Sequence, residues 1–430
     1  MPLLYGADLL SLAAGKLQNS DAPGAAKLLR AHLAQSPRDA AAWNLLGVAE
    51  TEQKRGKAAD AAFDRAIALQ PDSSATRENY GTSLYKRGEF GKAKSQLAEA
   101  ARLGATNPGV LYQLAVSRLR TGEAEVGLRD LSGLRDHFAT LPEYWQELGI
   151  AQSVGDLNEA SQSLDRALSL DSESVRSLAA AAFVAERRND TERALVYLLK
   201  ARALAPASVP LLVQFGRVCL QRELGQDSLE ALGKAHRAQP GHQEALYLLA
   251  AANITVEQFQ EAYKLLVEFT RQAPGNATAH HSLGWLDLKL NRPESARSHF
   301  DQALKLAPDF PNTLLELADL DLISGDLDRS EQSVMRALKQ KPNSARGHLI
   351  LGDIANQRGD IEKAQNAYET AIRHDENLAA AHSRLARILF RKRDVAGGTR
   401  EQKLAAALQE LDKKQSRRAL RLAGMDPSLP

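Results

Sequence analysis

Cysteine is almost absent from this 430-residue chain, with Cys219 standing alone. No intramolecular disulfide can form, and a reducing compartment and a cysteine-poor periplasm both remain open. Aromatic residues are scarce, at 5%, while alanine is the commonest residue. That bias suits close-packed helices, because Ala has the best helix propensity and lets helices approach. Charge of one sign is missing too: 55 Lys and Arg against 53 Asp and Glu leave a formal net charge of +2. Such a chain has no strong field to draw nucleic acid or an anionic membrane. No stretch approaches the roughly 18 apolar residues of a membrane span. The N-terminus lacks the early basic residue of a signal peptide, since Lys16 comes first and Gly6 and Asp8 interrupt the apolar run. The expected location is cytoplasmic if the chain is complete, and periplasmic or secreted if a signal has been removed. Hydrophobic residues at 44% and charged residues at 25% indicate a packed, water-soluble protein.

What is present is a repeat. Pro206, Pro240, Pro274, Pro308 and Pro342 follow one another at intervals of 34, and Pro37 and Pro71 keep that interval. In this register the chain divides into a tail (1–5) and eleven units: 6–39, 40–73, 74–107, 108–141, 142–174, 175–208, 209–242, 243–276, 277–310, 311–344 and 345–378. A degenerate twelfth unit with a basic capping helix covers 379–424, and 425–430 form a tail. Only 142–174 is short, by one residue between Gly149 and Ala160. The eighth slot of every unit is small, from Ala13, Gly47 and Gly81 through Gly284 to Ala386. The twentieth slot is also small throughout, and four residues later, in eleven of twelve units, comes a large apolar residue such as Phe63, Leu198, Phe300 or Tyr368. Slots 4, 7, 8 and 11 lie on one stripe of a first helix, and slots 20, 24 and 27 on one stripe of a second. Small residues mark where two helices cross, and proline at slot 32 ends the second. A lone hairpin cannot bury both stripes, so neighbours must stack.

In this form the pattern resembles the tetratricopeptide repeat family. Unit 40–73 carries Trp43, Leu46, Gly47, Ala59, Phe63, Ala66 and Pro71 in the family's order, and unit 142–174 carries Trp145, Leu148, Gly149, Ala160, Leu164 and Ala167. The resemblance covers about 6–412 and implies an all-α, right-handed superhelical solenoid of antiparallel helix hairpins. One departure recurs: the slot that the family commonly fills with Tyr holds Glu50, Gln152, Asn253 and Asp287. At the C-terminal end Leu404, Leu408, Leu411, Ala419 and Leu422 keep helical spacing, and Gly424 with Pro427 reads as a helix stop. Residues 391–421 hold ten basic and four acidic side chains, which fits a polar cap on the last unit or a docking patch for an acidic partner.

Chemistry is hard to find. Gly91-Lys92 and Gly233-Lys234 lack the rest of a phosphate-binding loop, and no serine sits in a nucleophile elbow. Cys219 falls on a core stripe. His280, His348 and His382 all occupy slot 4, where packing is expected rather than metal binding. No catalytic residue, cofactor or metal is expected. The family's carboxylate clamp would need Lys at slot 5 and Asn at slot 9, and its asparagine ladder Asn at slot 6. Slots 5 and 9 lack those types, and only Asn79 fits the ladder.

The resemblance implies that first helices line a concave groove through slots 2, 5, 9, 12 and 13. The candidate partner-binding residues are Tyr112, Val116, Ile150, Phe183, Val213, Arg217, Tyr247, Trp285, Leu288, Leu315 and Asp319, an apolar and aromatic track with spaced charges. The alternative is that these side chains pack between adjoining first helices. Trp43 and Trp145, at slot 4, are expected in the core and Trp285, at slot 9, in the groove. The function expected is a non-catalytic scaffold or adaptor holding a protein or peptide segment, within a bacterial export or surface-assembly system. A spacer or self-association module binding through its convex face is the second reading, and the repeat region of a larger enzyme the third. No nucleic acid partner is expected.

Overall fold

The computed structural model describes residues 6–412, which form twenty-four α-helices and one 3-10 turn, with no strand among the described residues. The terminal tails, and Ala419, Leu422, Gly424 and Pro427, lie outside the described residues. Contacts divide the chain into two compact units, Met1–Arg188 and Asn189–Pro430. The first contains α1 (Gly6–Gln18), α2 (Ala22–Gln35), α3 (Ala40–Glu52), α4 (Gly56–Leu69), α5 (Ser74–Lys86), α6 (Phe90–Arg102), α7 (Pro108–Arg120), α8 (Ala124–Ser132), α9 (Pro142–Gln152), α10 (Leu157–Leu170) and α11 (Val175–Arg187). The second contains α12 (Thr191–Leu204), α13 (Val209–Gln221), α14 (Gly225–Ala238), α15 (Gln243–Thr255), α16 (Phe259–Gln272), α17 (Ala277–Lys289), α18 (Pro293–Leu306), α19 (Pro311–Ser324), α20 (Leu327–Gln340), α21 (Ala345–Gln357), α22 (Ile361–His374), α23 (Ala379–Arg391) and α24 (Val395–Asp412). Within each unit every helix packs on the next, and several first helices also meet, as in α3 with α5, α9 with α11, α13 with α15 and α19 with α21.

Local chemistry sets the helix ends. Asp39, Ser73, Asn276 and Ser344 end their repeats, and each side chain accepts the backbone N–H three residues on, in the next helix, at 3.0, 3.2, 2.9 and 3.2 Å. Each such cap is worth about 1 kcal/mol. The turn inside the hairpin makes a different demand. Slot 15 has positive φ in Ser20, Lys54, Asn189, Glu223, Glu257, Asn291 and Arg393, as well as in Gly88, Gly122, Gly325 and Gly359. The short unit 142–174 has no such residue. Its deletion removes the left-handed position, and α9 stops at Gln152, two residues sooner than its counterparts.

Inside each hairpin, slot 8 faces slot 24. A Cβ built on Gly47 or Gly284 would come within 2.6 or 2.5 Å of the Phe63 or Phe300 ring, and one on Gly352 within 2.4 Å of Tyr368. All three aromatic residues at slot 24 are matched by glycine at slot 8, whereas Ala115 and Ala318 sit with the smaller Leu131 and Val334. Glycine also meets the smaller Leu97, Leu164 and Leu232, at Gly81, Gly149 and Gly216, so an aromatic ring requires glycine opposite while leucine accepts glycine or alanine. The core stripe of the first helix starts one residue earlier than the sequence suggests. Slot 3 is buried from Ala42, Thr76 and Val110 to Ala381. Slot 4, by contrast, is half-buried wherever it holds Trp43, Trp145, His280 or His348.

Those four residues, together with the buried His382, share a role. Each ring nitrogen donates to the carbonyl six residues earlier, in the preceding turn: Trp43 to Pro37 at 3.0 Å, Trp145 to Ala139 at 2.9 Å, His280 to Pro274 at 3.3 Å, His348 to Pro342 at 3.0 Å and His382 to Glu376 at 2.9 Å. The polar residues that replace the expected Tyr are buried and partnered. Glu50 pairs with Arg30, Gln152 accepts from Ser163 at 2.7 Å, Asn253 donates to Leu249 O at 2.8 Å and Asp287 accepts from Ser295 at 2.7 Å. At the C-terminal end α24 packs on α23 through Ala405 and Leu408, while Leu404 faces solvent rather than joining their stripe. Glu401 meets the buried His382 Nδ1 at 2.6 Å.

Candidate protein-binding face

The first helices carry all eleven residues expected to line a groove, and burial separates them. In the first unit Val116 is buried. Tyr112 is half-buried against Phe138 and Tyr144, with ring centroids 5.4 and 6.5 Å away, and burial holds its phenol well above the ordinary pKa. Ile150 is half-buried. Phe183 is 41% exposed, with the Arg187 guanidinium 5.9 Å from its ring centre. In the second unit Val213 and Leu315 are buried. Tyr247 packs on Phe269 at 5.3 Å, and Leu288 packs against Ala296, Phe300 and Leu317.

Trp285 is a correction. It is only 4% exposed, edge-on to Phe259 at 5.9 Å, with Lys289 Nζ 5.0 Å from its ring centre. The expected assignment of the tryptophans is thus reversed: slot 9 buries Trp285, and slot 4 leaves Trp43 and Trp145 partly exposed. Val116, Val213 and Leu315 are corrected in the same way, from groove wall to packing.

Trp285 is met from the preceding hairpin, by Phe259 of α16, whereas the charged slot-9 residues meet the next first helix. Slot 9 of one hairpin meets slots 2 and 6 of the following one. Arg217 reaches Glu244 at 2.9 Å. Asp319 accepts from Arg346 at 2.5 Å, and Arg346 also holds Glu316 at 2.6 Å. Asp353 is paired with Arg384 at 2.5 Å. Desolvation raises the Asp319 pKa and outweighs the opposing pull of Arg346. Desolvation also works against the Arg346 charge, but the hydrogen bond and charge of Glu316, with Asp319, raise its pKa above the ordinary arginine value. These charges pair between neighbouring helices, although Asp319 and Arg346 keep about a third of their side chains exposed.

What the first-helix face offers to solvent is slot 13. In the first unit it holds Gln18, Glu52, Lys86, Arg120, Val154 and Arg187, all exposed; in the second Lys289, Ile323, Gln357 and Arg391 are exposed, and Gln221 and Thr255 are half-buried. Val154 is 78% and Ile323 83% exposed. Sequence reasoning named slot 13 but chose its candidates from slots 5, 9 and 12. The missed signal is the recurrence of Lys and Arg at one slot, which only a solvent-facing position tolerates cheaply. Chemically, the face can offer apolar contact beside basic side chains. Cys219 is fully buried, and burial raises its thiol pKa to about 12, so it supplies no nucleophile. No group of three or more His, Cys, Asp or Glu among the described residues is arranged to hold a metal ion, and no described helix is long and apolar enough to cross a membrane.

Paired helices with a small-on-large crossing, repeated through both units, define an array of tetratricopeptide-type hairpins. Family models agree. Residues 9–134 match the cytochrome c-type biogenesis protein H TPR domain, 287–354 match one tetratricopeptide repeat model, and 254–311 and 351–414 match another. The chain is a tetratricopeptide repeat protein, and this family supports a protein-interaction scaffold in general. No curated protein matches it in sequence. Among solved structures it is similar to YrrB, described as a TPR protein with an unusual peptide-binding site, at 19% identity over 44% of this chain and 97% of that one, with a TM-score of 0.40. It is also similar to yeast Tom70, at 15% identity over 97% and 95% with a TM-score of 0.43, and to Cut9 in its complex with Hcn1, at 13% over 97% and 90% with a TM-score of 0.46. Likeness at this level bears on neither partner nor activity.

Proposed function

We propose that the protein is a non-catalytic adaptor that captures an extended segment of a partner protein on the first-helix face, through its exposed slot-13 residues and Phe183. One observation carries this reading: the inner slots 5 and 9 are largely filled by the array's own packing, yet within the first unit Val154 and Phe183 stay exposed near Arg187, and within the second Ile323 stays exposed near Arg387 and Arg391. Isolated exposed apolar residues need no explanation, but their pairing with basic side chains on the first-helix face of each unit favours a binding surface. The match of 9–134 to a cytochrome c biogenesis repeat domain is in keeping with work in bacterial export or surface assembly. The second reading, binding or self-association through the second helices, is favoured by exposed Val196 and Leu199 on α12.

Site-specific photo-crosslinking separates the two. A benzophenone amino acid placed at Phe183 or Ile323 is expected to trap a partner in native lysate. The same probe at Val126 or Met335, exposed on second helices, is not. Adducts formed only from the second-helix positions would transfer the function to the opposite face.

A further inference from the structure

The last three first helices of the second unit enclose a cavity of about 380 Å³, floored by Tyr368 of α22. Its charges are unequal. The single N–H of Arg384 Nε is shared by both Asp353 oxygens, at 2.5 and 2.7 Å, and Tyr368 Oη donates to the same carboxylate at 2.8 Å. That carboxylate is therefore engaged, and its charge is paired with that of Arg384. Arg387 and Arg391 line the same cavity and are exposed. Arg391 donates to Asn356 at 2.8 Å, and Arg387 reaches only the Ser383 carbonyl, at 3.5 Å. Neither meets a carboxylate among the described residues. The opposite wall, from α19, is apolar and includes the exposed Ile323.

We propose that this cavity is a recognition pocket for acidic side chains of an extended partner segment, with Arg387 and Arg391 taking two carboxylates and Ile323 an adjoining apolar residue. The proposal rests on the reading that the first-helix face binds, and adds the chemistry of what is bound. Geometry selects the source of the carboxylates. Arg387 and Arg391 stand four apart on one face of α23, about 6 Å from each other along the helix. Alternate side chains of an extended strand point the same way about 6–7 Å apart, so acidic residues at alternating positions match the two guanidinium groups. A lone C-terminal carboxylate would use one. Two uncommitted cations beside an engaged carboxylate and an apolar wall are also a poor track for a phosphate backbone, which needs a longer run of cations.

The test is titration of the full chain, by fluorescence anisotropy, with short N-acetylated peptides. One, C-amidated, has a Glu-Ser-Glu core followed by Leu. A second replaces Glu by Gln. A third is the Gln peptide with a free C-terminal carboxylate. A single-stranded oligothymidylate is the fourth probe. The Glu peptide is expected to bind, to weaken as salt rises, and to lose about tenfold or more of its affinity, roughly 1.4 kcal/mol, in the double variant Arg387→Glu/Arg391→Glu. Both residues are exposed, so helicity should persist; Arg387→Gln/Arg391→Gln serves if the charge reversal disturbs folding. Equal binding of Glu and Gln peptides, unchanged affinity in both double variants, binding that requires the free carboxylate, or tighter capture of the oligonucleotide would each overturn the proposal. If it fails while the Phe183 crosslink persists, the adaptor reading stands without this pocket. Loss of first-helix crosslinks in the unaltered chain instead removes the reading on which it rests.

Discussion

Replacing Trp285 by alanine should destabilise the protein far more than the same change at Trp43. Tryptophan buries up to about 250 Å² of side chain, and at roughly 25 cal/mol per Å² a side chain 4% exposed carries an upper bound near 6 kcal/mol. Alanine retains part of that area and the denatured chain already hides some, so about 3–5 kcal/mol is the expected loss, as for other aromatic deletions in cores. The edge contact with Phe259 and the stacking of Lys289 go with it. Trp43 is half-buried and contributes one hydrogen bond, to Pro37. Its removal should cost about 1–2 kcal/mol. Urea unfolding followed by far-ultraviolet circular dichroism is the assay. A repeat array can lose local structure first, so the comparison is between the helical midpoints of the two variants. If Trp285→Ala unfolds no earlier than Trp43→Ala, Trp285 does not pack as described, and its assignment to the groove returns.

Further outcomes follow from the same packing. Gly284→Leu should lower the melting temperature, because even a Cβ there approaches the Phe300 ring to 2.5 Å; overpacking of this kind costs about 1–3 kcal/mol, and an unchanged melt would place the helix crossing elsewhere. Glu257→Gly should raise stability by about 1 kcal/mol, since φ at this residue is 60° and left-handed backbone disfavours a side chain by about that much; a lowered urea midpoint would refute it. Burial depresses the His299 pKa, against the pull of Asp287 and with help from His280. The unfolded chain then takes up the proton more readily, so the stability tied to neutral His299 is complete above the ordinary histidine pKa of about 6.5 and falls as pH drops below it. Melting temperatures of the parent and His299→Gln between neutral and mildly acidic pH should diverge accordingly, and parallel curves would exclude the effect.

The parts of the fold legible in the sequence are those that a steric rule writes into residue type. Slot 8 admits only Gly or Ala because Phe63, Phe300 or Tyr368 fills the space opposite, so its composition announces the crossing. Slot 15 obeys an equally strict backbone rule but hides it. Ser20, Lys54, Glu223 and Arg393 all accept positive φ at a tolerable cost, and no single residue type accumulates. Slots 3 and 4 are one residue apart, about 100° on a helix, and the tryptophan and histidine at slot 4 drew attention from the smaller buried residues beside them. Their clamp on the preceding turn depends on an acceptor that is a backbone carbonyl, which no side-chain pattern records.

The candidate site was harder to read because its facing depends on a neighbour. Slots 9 and 13 lie about 40° apart on the helix, too close for periodicity to separate. The neighbouring hairpins decide between them, Phe259 of α16 meeting Trp285 and Arg346 of α21 engaging Asp319, while Ile323 and Arg391 stay exposed. A consequence follows for any scaffold of this design. Inner positions are read by the adjacent hairpin, so their substitution changes folding first and binding only through folding. Rim positions make mostly exposed contacts, such as Lys86 with Glu52 and Arg391 with Asn356, so they can vary in charge and size at less cost in stability; Arg120, which pairs with the buried Glu147, is more constrained. Under the proposed adaptor function, partner selectivity falls to slots such as 13, where Val154, Arg187, Lys289, Ile323 and Arg391 differ from unit to unit, while slots 8 and 20, and slot 24 of the first eleven units, keep their types.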